Sequence, residues 1–431
     1  MNRRNFIHKF GGLTGATAMA NFLGPQLSQR LDLALKRVAH QPDEVTAVDE
    51  KFWQEIRLAF STSSTMINLN NGGVSPQPIV VQEAVERYNK MSNEVPTYYM
   101  WRLLEYGRNS VRRELAHLAG CSPEEVAINR NATEGLDTII FGLRLRPGDE
   151  VVLSKQDYPN TINAWKQRAH RDGIVLKWLD FKFPIEDKAE IVRRFEEAFS
   201  PRTKLVQITH VINWIGQIMP VNEIAKKAQE RGIEVMVDAA HSFAQLDFRI
   251  DEMSCDYLGT SLHKWLCAPF GTGMLYVRRD KIKNLYPLIA APDPEDDNIR
   301  KFENLGTRSI AIEQAIGQAI NFHSMIGIKR KQQRLYYLKN YWAEKIKNLP
   351  GVQIHTSLKK EFGCAIGMFS VDGKKSADVA KYLQKKHHIH TVSIEWENID
   401  GVRVTPNVYT LTRELDVFVA AIEKALGGDL E

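Results

Sequence analysis

The sequence predicts an α/β protein, with a mostly parallel sheet between helices and a smaller α+β domain. Three observations predict it. Short apolar runs alternate with amphipathic helical patterns between residues 126 and 277, which is how a sheet covered on both faces reads. A second block, 352–427, returns to strand, helix, strand and helix after a long helical stretch. The length of 431 residues is enough for more than one core.

Taken in order, 31–38 and 50–60 have helical periodicity, the second with Phe52, Trp53, Ile56 and Phe60 on one face. A Ser/Thr cluster at 61–65 precedes a short strand that runs into Asn70-Asn71-Gly72-Gly73, a turn signal. Helices are predicted at 79–88 and 110–118. Strand 126–128 leads to helix 133–141, strand 150–153 to helix 161–169, and strand 174–179 follows. Further on come strand 205–208, helix 221–231, strand 233–237, a short strand at 256–258 and another at 274–277. A polar excursion at 291–297 separates these from a long helical region, 310–338, with a break near Gly327. Strands at 364–369 and 389–393 and helices at 376–385 and 412–426 complete the chain. The domain expectation is 66–310 for the large unit and 25–65 plus 311–431 for the small one, after an export signal over 1–24.

Composition narrows the function classes. Hydrophobic residues make up 43% and charged residues 25%, ordinary for a globular chain. A formal charge of +5 is too mild to argue for nucleic acid. The four cysteines, Cys121, Cys255, Cys267 and Cys364, form no CxxC pair and no zinc-like spacing, so no metal site is expected. Arg3-Arg4 ahead of a modest apolar run, with Ala18-Met19-Ala20 behind it, resembles a twin-arginine export signal. That implies a periplasmic location; a frayed basic arm on a cytoplasmic protein is the other reading. Nothing else approaches a membrane-spanning apolar stretch, so no stable membrane insertion of the mature chain is expected.

The chemistry-bearing residues cluster in a few segments. Asp238 terminates the apolar run Val235-Met236-Val237, at the carboxyl end of a strand, where open α/β sheets take ligands. His241 follows three residues later. Gly259-Thr260-Ser261-Leu262-His263-Lys264-Trp265 then sets a lysine between histidine and tryptophan. Enclosure makes such an amine easier to deprotonate, because desolvation disfavours its charged form. Ala132, Thr133 and Glu134 open a predicted helix after a strand, with Thr133 as its cap and the N–H groups of Glu134 and Gly135 free for an anion. Singly, each has an ordinary alternative: a turn-forming aspartate, a structural histidine, a helix cap with no ligand.

Together these residues resemble the fold-type I pyridoxal-phosphate (PLP) enzymes, specifically the aminotransferase class V superfamily that includes cysteine desulfurases and isopenicillin N epimerase. The resemblance spans residues 68–423 and implies a seven-stranded-type sheet. It implies that Lys264 holds PLP through its amine, that Asp238 pairs with the ring nitrogen and that His241 and Asn213 lie near the ring hydroxyl. It also implies that Tyr158 stacks on the ring. Ala132, Thr133, Glu134, Ser261 and His263 would receive the phosphate, and Thr307 would reach it from the other subunit of a homodimer. Arg403, in Arg403-Val404-Thr405, matches the family's carboxylate-binding arginine; the following Val408-Tyr409-Thr410 departs from the family's Tyr-Asn-Thr. Tyr98, Tyr99 and Arg102 fall in a segment resembling the substrate entry of epimerase-like members.

Four reactions of a small amino-acid substrate remain open: transamination, epimerisation, Cβ–S cleavage and β-elimination. Desulfurases of this kind carry a catalytic cysteine where this chain has 390–398, a stretch without cysteine. Epimerisation needs proton delivery to both faces, and only Lys264 is identified. Transamination needs one shuttling amine, and is the expected reaction. From another class, a catalytically silent envelope binding protein is the competing reading.

Overall fold

A computed structural model describes residues 24–429, so the export-signal expectation falls almost wholly outside the described residues. The architecture is α/β with a mostly parallel central sheet. Its seven strands are β1 (Val126–Asn129), β2 (Glu150–Ser154), β3 (Val175–Leu179), β4 (Thr203–Thr209), β5 (Glu234–Asp238), β6 (Tyr257–Ser261) and β7 (Gly273–Val277), in the order β1-β7-β6-β5-β4-β2-β3. Only β7 runs antiparallel to its neighbours.

Alternation along each strand feeds two cores. Val152, Val206, Ile208, Val235 and Val237 pack on one side with Val80, Ile191, Ile224 and Ile316. Val151, Leu153, Leu205, Met236 and Tyr257 pack on the other with Leu136, Ile139 and Trp165. Successive strand side chains point to opposite faces, so a strand buried on both sides reads as continuously apolar. Each such fully buried side chain contributes about 1.5–3 kcal/mol.

A four-stranded antiparallel sheet forms from β8 (Val352–Ile354), β9 (Gly367–Val371), β10 (Val392–Trp396) and β11 (Ile399–Val404), in the order β10-β11-β9-β8. Trp342, Phe369, Leu383, Val402 and Phe418 build its core with Leu69. The predicted long helix breaks at Gly327 into Ile310–Ile326 and Ile328–Ile346. Gly327 has φ +87°, a conformation that glycine adopts without a Cβ penalty.

Three local expectations differ. The strand foreseen from residue 364 begins at Gly367, because the backbone ahead of it is engaged elsewhere: Ala365 N–H donates to Gln245 Oε1 at 2.7 Å. Helix Lys188–Ala198 was not foreseen, although Asp187 caps it by accepting from Ala189 and Glu190 N–H. The strand at 389–393 is two: Ile389–His390 pairs with Ile67–Asn68, and β10 continues to Trp396.

The segment around Asn71 stitches the two sheets. Asn71 Nδ2 donates to Thr405 O at 2.8 Å, and Tyr409 Oη donates to Asn71 Oδ1 at 2.6 Å. Ser75 N–H donates to His263 O at 3.1 Å, while Asn407 Nδ2 donates to Ser75 Oγ at 2.9 Å.

Candidate functional site

The carboxyl ends of β4, β5 and β6 place Thr209, Asp238 and Ser261 side by side, with Thr209 opposite Asp238 and Asp238 opposite Gly259 in register. A cavity of about 470 Å³ opens above them. The small sheet closes it from the far side with Val392, Ile394 and Arg403, and the turn Gly72-Gly73-Val74 enters from the edge. Ala132, Thr133, Tyr158, Asn213, Asp238, His241, Ser261, His263, Lys264 and Arg403 all line this cavity.

Lys264 follows β6 by three residues, on a loop whose neighbours Leu262 and Trp265 are fully buried. Its Nζ lies 3.0 Å from His241 Nε2 and 5.9 Å from the centre of the Tyr158 ring. Burial pushes the amine down to about 8; Asp238 opposes that shift and Arg403 adds to it. Asp238 is buried, which raises its carboxyl, while the Ala240 N–H at 2.9 Å and Lys264 pull it back. Beneath it, Asp157 accepts from Thr209 Oγ1 at 2.7 Å, Gln207 Nε2 at 2.9 Å and Ser154 N–H at 2.9 Å. Burial nevertheless lifts Asp157 to about 7, and the negative charge of Asp238 adds to the lift.

At the opposite end, helix Ala132–Gly142 points its N-terminus at the cavity. The cap is Asn131 rather than Thr133: its side chain accepts from Glu134 N–H at 2.9 Å. Ala132 N–H donates to Ser261 Oγ at 2.9 Å, leaving the hydroxyl proton of Ser261 free to donate. Glu134 stands apart from the other predicted phosphate-binding residues. Its N–H is taken by Asn131, Gly135 N–H donates to Asn131 O, and the Glu134 carboxylate pairs with Arg130. His263 Nδ1 faces Thr272 O at 3.2 Å; a carbonyl only accepts, so that nitrogen carries a proton and Nε2 is left for the cavity.

Arg403 is buried, and burial pushes its guanidinium down to about 10. Nη1 donates to Asn213 O at 2.9 Å and Nη2 to Asn70 Oδ1 at 3.0 Å, while Nε is buried without a protein partner. Asn213 Oδ1 is likewise buried and unpartnered. Two such orphans in one cavity wall call for a polar ligand, since an unmet buried polar atom is costly. An amine, a buried carboxylate, a helix N-terminus and these orphans fit a phosphorylated aromatic aldehyde such as PLP.

Besides Glu134, four predicted residues lie outside this cavity. Tyr98 and Arg102 are exposed and Tyr99 is half-buried, on a short helix and π turn covering Pro96–Leu104. Their backbone continues into helix Glu105–Ala119. Thr307 is exposed in the turn ahead of helix Ile310–Ile326. Sequence reasoning missed Asn131, Thr209, Trp214, Val392 and Ile394 as lining residues. Only Asn131 carried a readable signal, a capping residue ahead of an apolar helix. Trp214 stacks on Trp396 at 5.6 Å and 24°, a pairing invisible along the chain.

The profile of the family described as aminotransferase class-V matches residues 67–393. The chain is 27% identical to isopenicillin N epimerase of Streptomyces clavuligerus, over 87% of this chain and 98% of that one. It is 25% identical to a probable cysteine desulfurase of Halalkalibacterium halodurans, over 84% of this chain and 93% of the relative. Among solved structures, the apo cysteine desulfurase of Thermococcus onnurineus NA1 superposes with a TM-score of 0.76 at 22% identity, covering 87% and 98% of the two chains. The cystine C–S lyase C-DES, complexed with its product cysteine persulfide, gives a TM-score of 0.72 at 21% identity, covering 83% and 97%. At these identities the structural likeness speaks for the fold.

Proposed function

The chain belongs to the aminotransferase class-V family and is a PLP-dependent enzyme, and from that premise we propose that it acts at the α-carbon of an amino acid by transamination. When bound, the cofactor supplies a cationic ring that draws electron density from the α-carbon. Lys264 would hold the cofactor through its amine and, once freed by the substrate amine, would carry the α-proton from the α-carbon to the cofactor's aldehyde carbon. Its lowered pKa suits that task, because a general base works best near ambient pH. Asp238 would keep the ring nitrogen protonated by a charge-assisted hydrogen bond. Ser261, His263 and the start of helix Ala132–Gly142 would receive the phosphate, and Tyr158 would pack against the ring. Arg403 binds the substrate carboxylate; its planar fork stays charged.

The observation that carries this reading is the gathering of Lys264, Asp238 and Arg403 around one cavity. Among the described residues, Lys264 is the one lysine lining it, and transamination asks for one proton-shuttling amine. Storage of sulfur on a cysteine is disfavoured: Cys121, Cys255, Cys267 and Cys364 all lie outside the cavity, and burial raises each thiol. Epimerisation is the second reading, favoured by the similarity to isopenicillin N epimerase over nearly that enzyme's whole length. A homodimer would let the exposed Thr307 complete a partner's phosphate site. The twin-arginine reading adds export of the folded enzyme, tested by comparing the masses of secreted and cytoplasmic chains.

The deciding experiment incubates the PLP-loaded protein with a panel of L- and D-amino acids. Accumulation of pyridoxamine phosphate with loss of the visible band supports transamination. Racemised substrate without it supports epimerisation, and released sulfide or pyruvate supports a lyase. Lys264→Ala should lose activity by roughly 10²–10⁴-fold, as expected for a general acid–base group.

A further inference from the structure

We propose that Trp265 is a positioning residue: its indole N–H holds His241 as the Nε2–H tautomer, and that tautomer favours the uncharged amine of Lys264 over its ammonium. The inference rests on the reading of Lys264 as the cofactor-bearing amine. It comes from two hydrogen bonds on opposite nitrogens of one ring. Trp265 Nε1 donates to His241 Nδ1 at 3.3 Å, and His241 Nε2 lies 3.0 Å from Lys264 Nζ. An indole N–H only donates, so Nδ1 must offer its lone pair. A neutral imidazole with an accepting Nδ1 carries its proton on Nε2. That proton points at Lys264 Nζ, which completes the bond only with a lone pair, as an amine and not an ammonium.

The ring has little freedom to escape this arrangement. Trp265 is fully buried and His241 is buried, with their rings 6.3 Å apart at 65°. Protonating His241 would set two donors against each other at Nδ1, and burial, with the charge of Arg403 nearby, already pushes the imidazolium well down. Lys331 anchors the backbone that carries the indole, donating from Nζ to the Trp265 carbonyl oxygen. The other charged or titratable groups facing Lys264 pull in both directions. Asp238 favours the ammonium, Arg403 opposes it, His263 stands next in the chain, and the Tyr158 ring lies below. Trp265 therefore acts at one remove: it touches neither the amine nor the reacting atoms, but selects which imidazole nitrogen faces them.

The test uses the full-length chain freed of cofactor. Lys264 is titrated by pH-dependent acylation, read on its own peptide by mass spectrometry, and the protonation of each His241 nitrogen is read by ¹⁵N NMR. Wild type should show a protonated Nε2, a bare Nδ1 and an acylation midpoint near 8. Trp265→Phe keeps the ring and drops the donor; Nδ1 is then free to take the proton, Nε2 becomes an acceptor, and the ammonium is favoured. Its midpoint should rise by roughly one pH unit. In a His241→Ala background, Trp265→Phe should add no further shift. A protonated Nδ1 in wild type, or equal midpoints for wild type and Trp265→Phe, would overturn the proposal. Neither readout needs turnover, so loss of the reaction assignment and loss of this inference are separable.

Discussion

Val392 and Arg403 stand directly opposite each other on the antiparallel strands β10 and β11, so their side chains leave the same face of the small sheet, and both line the cavity. Ile394, two residues along β10, joins them. A carboxylate held at Arg403 is thus flanked by apolar side chains. Arg403→Lys keeps the charge but loses the fork and its bonds to Asn213 O and Asn70 Oδ1. Losing charge-assisted hydrogen bonds worth about 1.5–3 kcal/mol should raise KM by roughly 10- to 100-fold with a smaller effect on kcat, measured by steady-state kinetics.

Asp238→Asn removes the negative charge that would face the ring nitrogen on the proposed reading, while preserving size. The protein should still retain cofactor, measured by its phosphate and visible absorbance. Its kcat should fall by roughly 10- to 100-fold, the worth of about 1.5–3 kcal/mol for one charged hydrogen bond. Full activity in this variant would remove Asp238 from the mechanism.

Cofactor capture should depend on pH through Lys264. Attack on an aldehyde needs the neutral amine, and burial lowers this amine from 10.5 to about 8. At pH 7 the reactive fraction is then about 10%, against roughly 0.03% for an ordinary lysine. The rate of reconstitution, followed in the visible band, should climb as pH rises and level off above about 8. A rate still climbing steeply at pH 10 would contradict the lowered value.

Gly273→Ala should destabilise the phosphate end. A Cβ there would come 2.6 Å from Asn131 N and also clash with Asn129 Oδ1, so the capped end of helix Ala132–Gly142 would have to move. A cost of about 1–3 kcal/mol is expected for such overpacking, seen as a lower thermal midpoint. Cofactor retention should weaken with it.

Much of this was readable along the chain because it rests on local periodicity. The strands ending at Asp238 and Ser261 announce themselves as apolar runs, and residues at strand ends gather wherever a parallel sheet forms. Lys264, His263 and His241 follow from that same edge. Glu134 misled because a free helix N-terminus and one closed by Asn131 look alike in sequence. Val392 and Ile394 were illegible for another reason: they reach the cavity only after the small sheet docks, which also brings Trp396 onto Trp214. Tyr98, Tyr99 and Arg102 were expected at the substrate entry from a resemblance to epimerase-like members, and on the turns at Pro96–Leu104 they do not line this cavity.

Ser75 ties the carbonyl of His263, next to Lys264, to Asn407, four residues beyond Arg403. The lysine loop of the large sheet and the strand end of the small sheet are therefore mounted on a common frame, so a shift of one draws the other with it.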